Sequence, residues 1–215
     1  MVDCVHLSVD LDESNLCHVR ETRRKQLISD ARCFADVLRK RGVPTIWVAF
    51  PKGNANFILM ESVVSWPSGA GCPYPQKHLR SSGVAGINIK KDEDVFVKGA
   101  EDAFQDGFLA HFIREKYGAC SVVVTGGTTT ICVLATLRGA QKAGFSCHVL
   151  YDRLYTLAPW DLDPCQHRDY LLQSVSLKDR SRFLIGSSRQ FLQSLPESSG
   201  GRGERSSSVA LSFHP

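Results

Sequence analysis

Short, wholly apolar segments alternate along the chain with longer amphipathic ones, and this alternation restricts the fold more than any other feature. The apolar segments predict strands at residues 5–10, 45–50, 94–98, 121–125, 147–151 and 183–186. The amphipathic segments predict helices at residues 20–41, 104–117, 132–143, 167–176 and 189–195. Strands that are apolar on both sides must be covered on both faces. The order therefore predicts an α/β fold with a parallel sheet between two layers of helices.

Two stretches lack this pattern. Residues 51–88 are rich in Gly, Pro and Ser, and we expect a long excursion with little regular structure. From Glu197 onward the chain is mostly Ser, Gly and Arg, which is typical of a disordered tail. We expect one domain at residues 1–196 and a tail at residues 197–215.

The composition excludes several classes of protein. No apolar run is long enough for a membrane span, and the N-terminus does not resemble a secretory signal. A net charge of +4 is too mild to indicate nucleic-acid binding. The eight cysteines are scattered without a CxxC pair, which favours reduced thiols in a cytoplasmic protein over disulfides or a zinc site. The predicted partner is a small molecule.

Parallel sheets bind their ligands at the carboxyl ends of the strands. The residues that follow the predicted strands are therefore the first candidates for a site. They are Asp10, Phe50, Lys98 and the loop at residues 126–132.

Cys132 follows a buried strand and a Gly-Gly turn, and it is predicted to open a helix. The positive end of a helix dipole favours a thiolate, so this position predicts a nucleophile with a lowered pKa. Gly126 and Gly127 allow the loop amides to converge on one point, where they could stabilise an oxyanion. The alternative is a buried cysteine with no chemical role.

Asp10 and Lys98 have similar pairs of interpretations. Asp10 could accept the thiol proton as a general base, or it could be an ordinary aspartate in a turn or helix cap. Lys98 could place positive charge beside a developing anion, or it could be an exposed surface lysine.

Taken together, these motifs resemble the isochorismatase-like cysteine hydrolases, which include nicotinamidases and N-carbamoylsarcosine amidohydrolases. The resemblance rests on Asp10 after the first strand, Lys98 with Ala-Phe five residues on, and GGTTTICV at residues 126–133. It covers most of residues 4–196 and is most specific at residues 122–152. It implies a three-layer α/β/α sandwich and a catalytic triad of Asp10, Lys98 and Cys132.

The same resemblance implies further features of the site. The peptide bond between Gly127 and Thr128 would be cis, and the amides of Thr128 and Cys132 would form the oxyanion hole. Phe50 and Phe104 would line the substrate pocket. Members of this family are commonly dimers or tetramers, so we expect a homo-oligomer here, and we expect no cofactor.

The sequence departs from the family at three places. Asp12 stands where the family has Gln, and Asp102 stands where it has Ser. Nicotinamidases bind zinc through an Asp-x-His pair after the second strand. Residues 47–57, WVAFPKGNANF, contain no such pair, and His78 is predicted to be a surface residue, so we expect no metal site.

The predicted activity is cleavage of a C–N bond in a small amide, carbamoyl or ureido compound through a cysteine thioester. True isochorismatases often lack the cysteine and carry Gln at the position of Phe50, so both Cys132 and Phe50 argue against isochorismate as the substrate. Two alternatives remain open. One is an isochorismatase-type ether hydrolase, and the other is a family member that serves as a binding or regulatory protein.

Overall fold

The structure of the protein, a computed structural model, describes residues 3–11, 13–49, 89–90, 93–157, 162–175 and 182–196. Several sequence-based predictions lie outside the described residues. They are the excursion at residues 51–88, the tail at residues 197–215, and the roles of Asp12, Phe50 and His78.

One parallel sheet organises the chain. Within the described ranges it contains six strands in the order β3-β2-β1-β4-β5-β6. The strands are β1 (Cys4–Val9), β2 (Thr45–Ala49), β3 (Asp94–Val97), β4 (Ser121–Gly126), β5 (Ser146–Leu154) and β6 (Phe183–Gly186). The predicted strand positions and the predicted parallel sheet are confirmed.

Helices cover both faces of the sheet. They are α1 (Glu13–Leu16), α2 (Glu21–Lys40), α3 (Phe108–Tyr117), α4 (Leu134–Lys142), α5 (Pro164–Ser174) and α6 (Ser188–Ser194). Apolar residues of α3, α4 and α5 pack in one core with alternate residues of β1 and β4, whereas α2 and α6 pack on the opposite face. The predicted three-layer α/β/α sandwich is thereby confirmed. Among the described helices, none is long and apolar enough to cross a membrane.

A buried histidine connects three strands of the sheet. His6 on β1 is fully buried, and its ring nitrogens lie 3.1 Å from the Thr45 hydroxyl and 2.8 Å from the Thr125 hydroxyl. Burial lowers the pKa of His6 to about 3, so the ring is neutral at physiological pH. Its polar atoms are paired across the strands, and we read it as a structural residue.

The helix predicted at residues 104–117 begins later, at Phe108. Two aspartates explain the difference, because their carboxylates accept hydrogen bonds from amides two residues ahead. The Asp102 carboxylate accepts from the Phe104 amide at 2.8 Å, and the Asp106 carboxylate accepts from the Phe108 amide at 3.0 Å. Such local bonds favour turns over helix. Gly107 then adopts a φ of 78° just before the helix.

The helix predicted to open at Cys132 begins earlier and in a different form. A π-helical turn at Thr129–Val133 precedes α4. The carbonyl of Thr128 accepts from the amides of Ile131 and Val133, at 3.2 and 3.0 Å. Cys132 therefore lies within a tight turn that is closed by the hydrogen bonds of its two neighbours, Ile131 and Val133. Such π-turns occur often at functional sites.

The start of α5 also differs from the prediction, which placed it at His167. The helix begins at Pro164 because Asp163 and Gln166 form a reciprocal capping box. The Asp163 carboxylate accepts from the Gln166 amide, and the Gln166 side chain accepts from the Asp163 amide, both at 2.9 Å. This start places His167 one turn into the helix, fully buried.

Candidate active site

The strand order reverses around β1 and β4, which are neighbours in the middle of the sheet. Open parallel sheets bind ligands at such a point, outside the carboxyl ends of the strands. Asp10 follows β1, the loop at residues 127–133 follows β4, and Lys98 follows β3. The topology therefore brings three separate parts of the sequence to one edge of the sheet.

Asp10 has an unusual backbone conformation. Its φ is 55°, in the left-handed region that residues with a side chain rarely adopt, although aspartate tolerates it better than most. Its amide donates to the carbonyl of Val48 at 2.7 Å, and its carbonyl accepts a hydrogen bond from the Tyr155 hydroxyl. The residue is completely buried, which does not fit an ordinary solvated turn.

Lys98 is buried beside it. Only 1% of Lys98 is exposed, and its Nζ donates to Asp10 Oδ2 at 2.8 Å and to the Glu101 carbonyl at 3.0 Å. A surface lysine is thereby excluded. Burying charged groups away from water costs free energy. The buried pair is stable only because each charge compensates the other. The Asp10–Lys98 pair is thus a preformed charged element inside the protein.

The thiol of Cys132 completes this cluster. It is 6% exposed and lies close enough to the Asp10 carboxylate and the Lys98 ammonium for both groups to shift its pKa. Burial and, next, the negative charge of Asp10 raise the pKa of Cys132 to about 12, while Lys98 acts in the opposite direction. The sequence-based expectation of a lowered pKa is therefore wrong. The loss of hydration is the largest cause of the raised pKa, and the charge of Asp10 is the next.

The raised pKa changes what the site must do chemically. At neutral pH the Cys132 thiol carries its proton, so a nucleophilic thiolate has to be generated by a base. The Asp10 carboxylate, whose negative charge helps to raise the pKa of the thiol, is the acceptor that lies close to it. The arrangement therefore suits transfer of the Cys132 proton to Asp10 rather than a permanent thiolate.

The loop between β4 and Cys132 is fitted closely to its surroundings. The peptide bond between Gly127 and Thr128 is cis. A Cβ atom on Gly127 would lie 2.5 Å from the ring of Tyr155, and one on Gly126 would lie 2.0 Å from the carbonyl oxygen of Val9. Both positions therefore require glycine. The role of the Thr128 and Cys132 amides as an oxyanion hole stays a prediction.

Thr128 and Thr129 are both buried, but their hydroxyls differ in hydrogen bonding. The Thr129 hydroxyl donates to the Tyr155 carbonyl at 3.1 Å and lies 2.9 Å from Nδ1 of His167. The Thr128 hydroxyl is buried and has no hydrogen-bond partner among the described residues. The contacts of the Thr129 hydroxyl hold the loop against Tyr155 and His167. The Thr128 hydroxyl is a buried polar group that the described residues leave without a hydrogen bond.

The structure places Phe104 and Asp102 differently from the triad. Phe104 is a core residue whose ring centroid lies 5.5 Å from that of Phe145, and its role in the substrate pocket stays a prediction. The half-buried Asp102 packs against Gly139, where an added Cβ would meet its Oδ1 at 2.0 Å. Burial raises the pKa of Asp102. A cavity of about 160 Å³ opens between Lys98 and Asp102.

Sequence reasoning missed Tyr155, which bonds to both Asp10 and the loop that carries the thiol. The predicted fifth strand ended at residue 151, whereas β5 continues to Leu154. The longer strand places Tyr155 next to the site, and no local pattern in the sequence marks this residue. In the part of the chain that the structure describes, no cluster of three or more His, Cys, Asp or Glu side chains could hold a metal ion.

The parallel α/β sheet carries a buried thiol, a carboxylate and an ammonium at its carboxyl edge, which are groups of the kind that covalent catalysis uses. The chain belongs to the isochorismatase-like hydrolase family, since the isochorismatase domain pattern matches residues 4–159. Comparison with curated protein sequences gives no match.

Solved structures show the same fold at low sequence identity. An isochorismatase-like hydrolase from Alkaliphilus metalliredigens is 16% identical, with a TM-score of 0.62 over 89% of this chain and 98% of that one. A pyrazinamidase of Pyrococcus horikoshii in complex with zinc is 17% identical, with a TM-score of 0.57 over 86% and 99%. A cysteine hydrolase from Pseudomonas syringae pv. phaseolicola is 12% identical, with a TM-score of 0.60 over 89% and 91%.

Proposed function

We propose that the protein is a cysteine hydrolase that cleaves a C–N bond in a small amide, carbamoyl or ureido compound. One observation carries the proposal. The buried Cys132 thiol and the buried Asp10–Lys98 ion pair lie close together at the carboxyl edge of the sheet. A purely structural thiol needs neither partner. The solved cysteine hydrolase and pyrazinamidase with this fold are consistent with such an activity.

The first step transfers the Cys132 proton to Asp10. The thiol is protonated at neutral pH, and the carboxylate beside it is the acceptor. The proton then resides on Asp10, the negative charge moves to sulfur, and Lys98 stabilises that charge in either position. Because Lys98 Nζ is held by Asp10 and by the Glu101 carbonyl, it does not have to reorganise during the transfer.

In the second step the thiolate attacks the substrate carbonyl carbon. A C–S bond forms and the carbonyl oxygen becomes an oxyanion, for which the amides of Thr128 and Cys132 are the proposed donors. Collapse of this intermediate breaks the C–N bond. Asp10 returns its proton to the leaving nitrogen, so ammonia or an amine departs and an acyl thioester remains on Cys132.

Hydrolysis of the thioester restores the protein. Asp10, again ionised, takes a proton from water as the hydroxyl attacks the acyl carbon, and the C–S bond breaks. The product acid leaves, and the sulfur regains its proton from Asp10. Each step uses the same carboxylate alternately as base and acid, which explains why a single Asp can serve the whole cycle.

Ammonia release tests this proposal. Purified protein is incubated with small primary amides, N-carbamoyl compounds and ureido compounds, including nicotinamide and pyrazinamide, and ammonia is measured. We expect release with at least one of them, and none with Cys132→Ala. Pyruvate formation from isochorismate, without ammonia release from any amide, would instead support the ether hydrolase. No turnover of either class would support the non-catalytic alternative.

A further inference from the structure

Tyr155 connects the two halves of the proposed site. It lies directly after β5 and is 1% exposed. Its hydroxyl donates to the carbonyl of Asp10, the residue proposed as the base. Its own carbonyl accepts from the amide and the hydroxyl of Thr129, both at 3.1 Å, at the start of the turn that carries Cys132. One residue thus contacts the base on one side and the nucleophile loop on the other.

The bond to Asp10 acts on a backbone that needs support. Asp10 has a φ of 55°, and a left-handed conformation costs energy that the surroundings must offset. The Asp10 amide is fixed by the carbonyl of Val48 at 2.7 Å, and its carbonyl is fixed by the phenol of Tyr155. These two bonds fix the position of the Asp10 backbone. They thereby fix the position of its carboxylate relative to Lys98 and the thiol.

The Tyr155 ring is buried in an apolar cluster with Leu11 and Trp47. One side of the ring lies against Gly127, where there is no room for a Cβ atom. A phenol buried in such surroundings needs a hydrogen-bond partner, and the Asp10 carbonyl accepts from it. The phenol therefore has a function that a phenylalanine ring of the same shape could not perform.

We infer that Tyr155 is a positioning residue, whose hydroxyl holds the Asp10 carboxylate in register with the Cys132 thiol. This inference rests on the proposed function and extends it to a residue that no motif marks. Displacement of a catalytic group by an ångström can lower a rate by orders of magnitude without loss of substrate binding. Loss of the hydroxyl should therefore affect kcat far more than KM.

The test compares Tyr155→Phe with Tyr151→Phe, which removes a phenol from the half-buried middle of the same strand. With an amide substrate, we expect Tyr155→Phe to lower kcat roughly tenfold and to change KM less than about twofold. Tyr151→Phe should match the wild type in both constants. The aromatic ring is retained in each variant, so both should fold, which circular dichroism and the melting temperature check.

A second measurement needs no substrate and so separates this inference from the proposed function. Alkylation of Cys132 by iodoacetamide is followed by mass spectrometry at about pH 9, where the rate follows the thiolate fraction. A carboxylate that has drifted from the thiol no longer disfavours the thiolate, so Tyr155→Phe should be alkylated roughly threefold faster or more. The buried Cys147 in the same protein serves as the reference for general loosening.

The inference is overturned if Tyr155→Phe retains the wild-type kcat and the wild-type ratio of Cys132 to Cys147 alkylation. It is also overturned if the variant melts at a lower temperature with that alkylation ratio unchanged, because the role of Tyr155 would then be structural only. If the wild type hydrolyses no amide, the proposed function fails, and the alkylation ratio still decides the positioning role.

Discussion

The two ends of the sheet each bury a cysteine, and the comparison shows what makes a thiol chemically useful. Cys147 lies near the amino end of β5, and Cys132 lies beyond the carboxyl end of β4. Burial raises the pKa of both thiols to about 12. The pKa therefore does not distinguish the proposed nucleophile from a core residue.

Their neighbours do distinguish them. Cys147 is surrounded by core residues, and its sulfur lies 3.7 and 3.8 Å from the carbonyl oxygens of Leu137 and Phe145. Cys132 lies close to a carboxylate that can take its proton and to an ammonium that can stabilise the product anion. Cys132 is the candidate nucleophile because a carboxylate close to it can accept the thiol proton.

The largest expected effect comes from deleting each thiol in turn. Cys132→Ala should lower turnover by about 10⁴-fold or more, because no other group can form the thioester, while the melting temperature changes little. Cys147→Ala should leave turnover unchanged but lower the free energy of unfolding by about 1 kcal/mol, since a buried atom is lost from the core. Kinetics and thermal melts of both variants check this, and the contrast fails if the two behave alike.

Asp10→Asn separates proton transfer from charge. We expect turnover to fall by about 10³-fold or more, because the proton acceptor and donor is lost. Alkylation of Cys132 at about pH 9 should nevertheless become faster, because the negative charge that raises the thiol pKa is gone while Lys98 remains. Slower alkylation in this variant would show that Asp10 activates the resting thiol instead.

Asp94→Asn is the matched control for that experiment. Asp94 is also a buried aspartate at a strand of the same sheet, with Lys116 Nζ at 2.6 Å and the Tyr117 hydroxyl as partners. Its replacement should reduce stability without changing the alkylation rate of Cys132.

Lys98→Met tests the other member of the buried pair. The Asp10 charge would lose its ammonium partner, which should lower the free energy of unfolding by about 3–5 kcal/mol. Alkylation of Cys132 should slow, because the charge of Lys98 lowers the thiol pKa. Lys116, whose side chain is 41% exposed, is the control. Lys116→Met should lower the free energy of unfolding by less and leave the alkylation of Cys132 unchanged. Urea unfolding and peptide mass spectrometry measure the two effects.

The smallest effect is expected from a chelator. The segment after the second strand contains no Asp-x-His pair, so turnover should be the same before and after treatment with EDTA. Loss of activity that returns on addition of zinc would refute this prediction and would place a metal in the site.

The positions of Asp10, Lys98 and Cys132 could be predicted from the sequence because each follows a strand or turn that is visible as an apolar run or a glycine pair. The electrostatics of Cys132 could not, since they depend on burial and on a carboxylate 122 positions away in the chain. Tyr155 was missed for the same reason. Its bond to Asp10 joins residues 145 positions apart and leaves no local pattern.

The central claim is that Cys132 carries the acyl group during turnover. The direct measurement is rapid quenching of the reaction in acid, using the amide that releases ammonia fastest, followed by mass spectrometry of the intact protein and its peptides. The account predicts a mass increase equal to the acyl group, located on the peptide that contains Cys132, formed before the product acid and absent from Cys132→Ala. Ammonia release with no acyl adduct, or with the adduct on another residue, would contradict it.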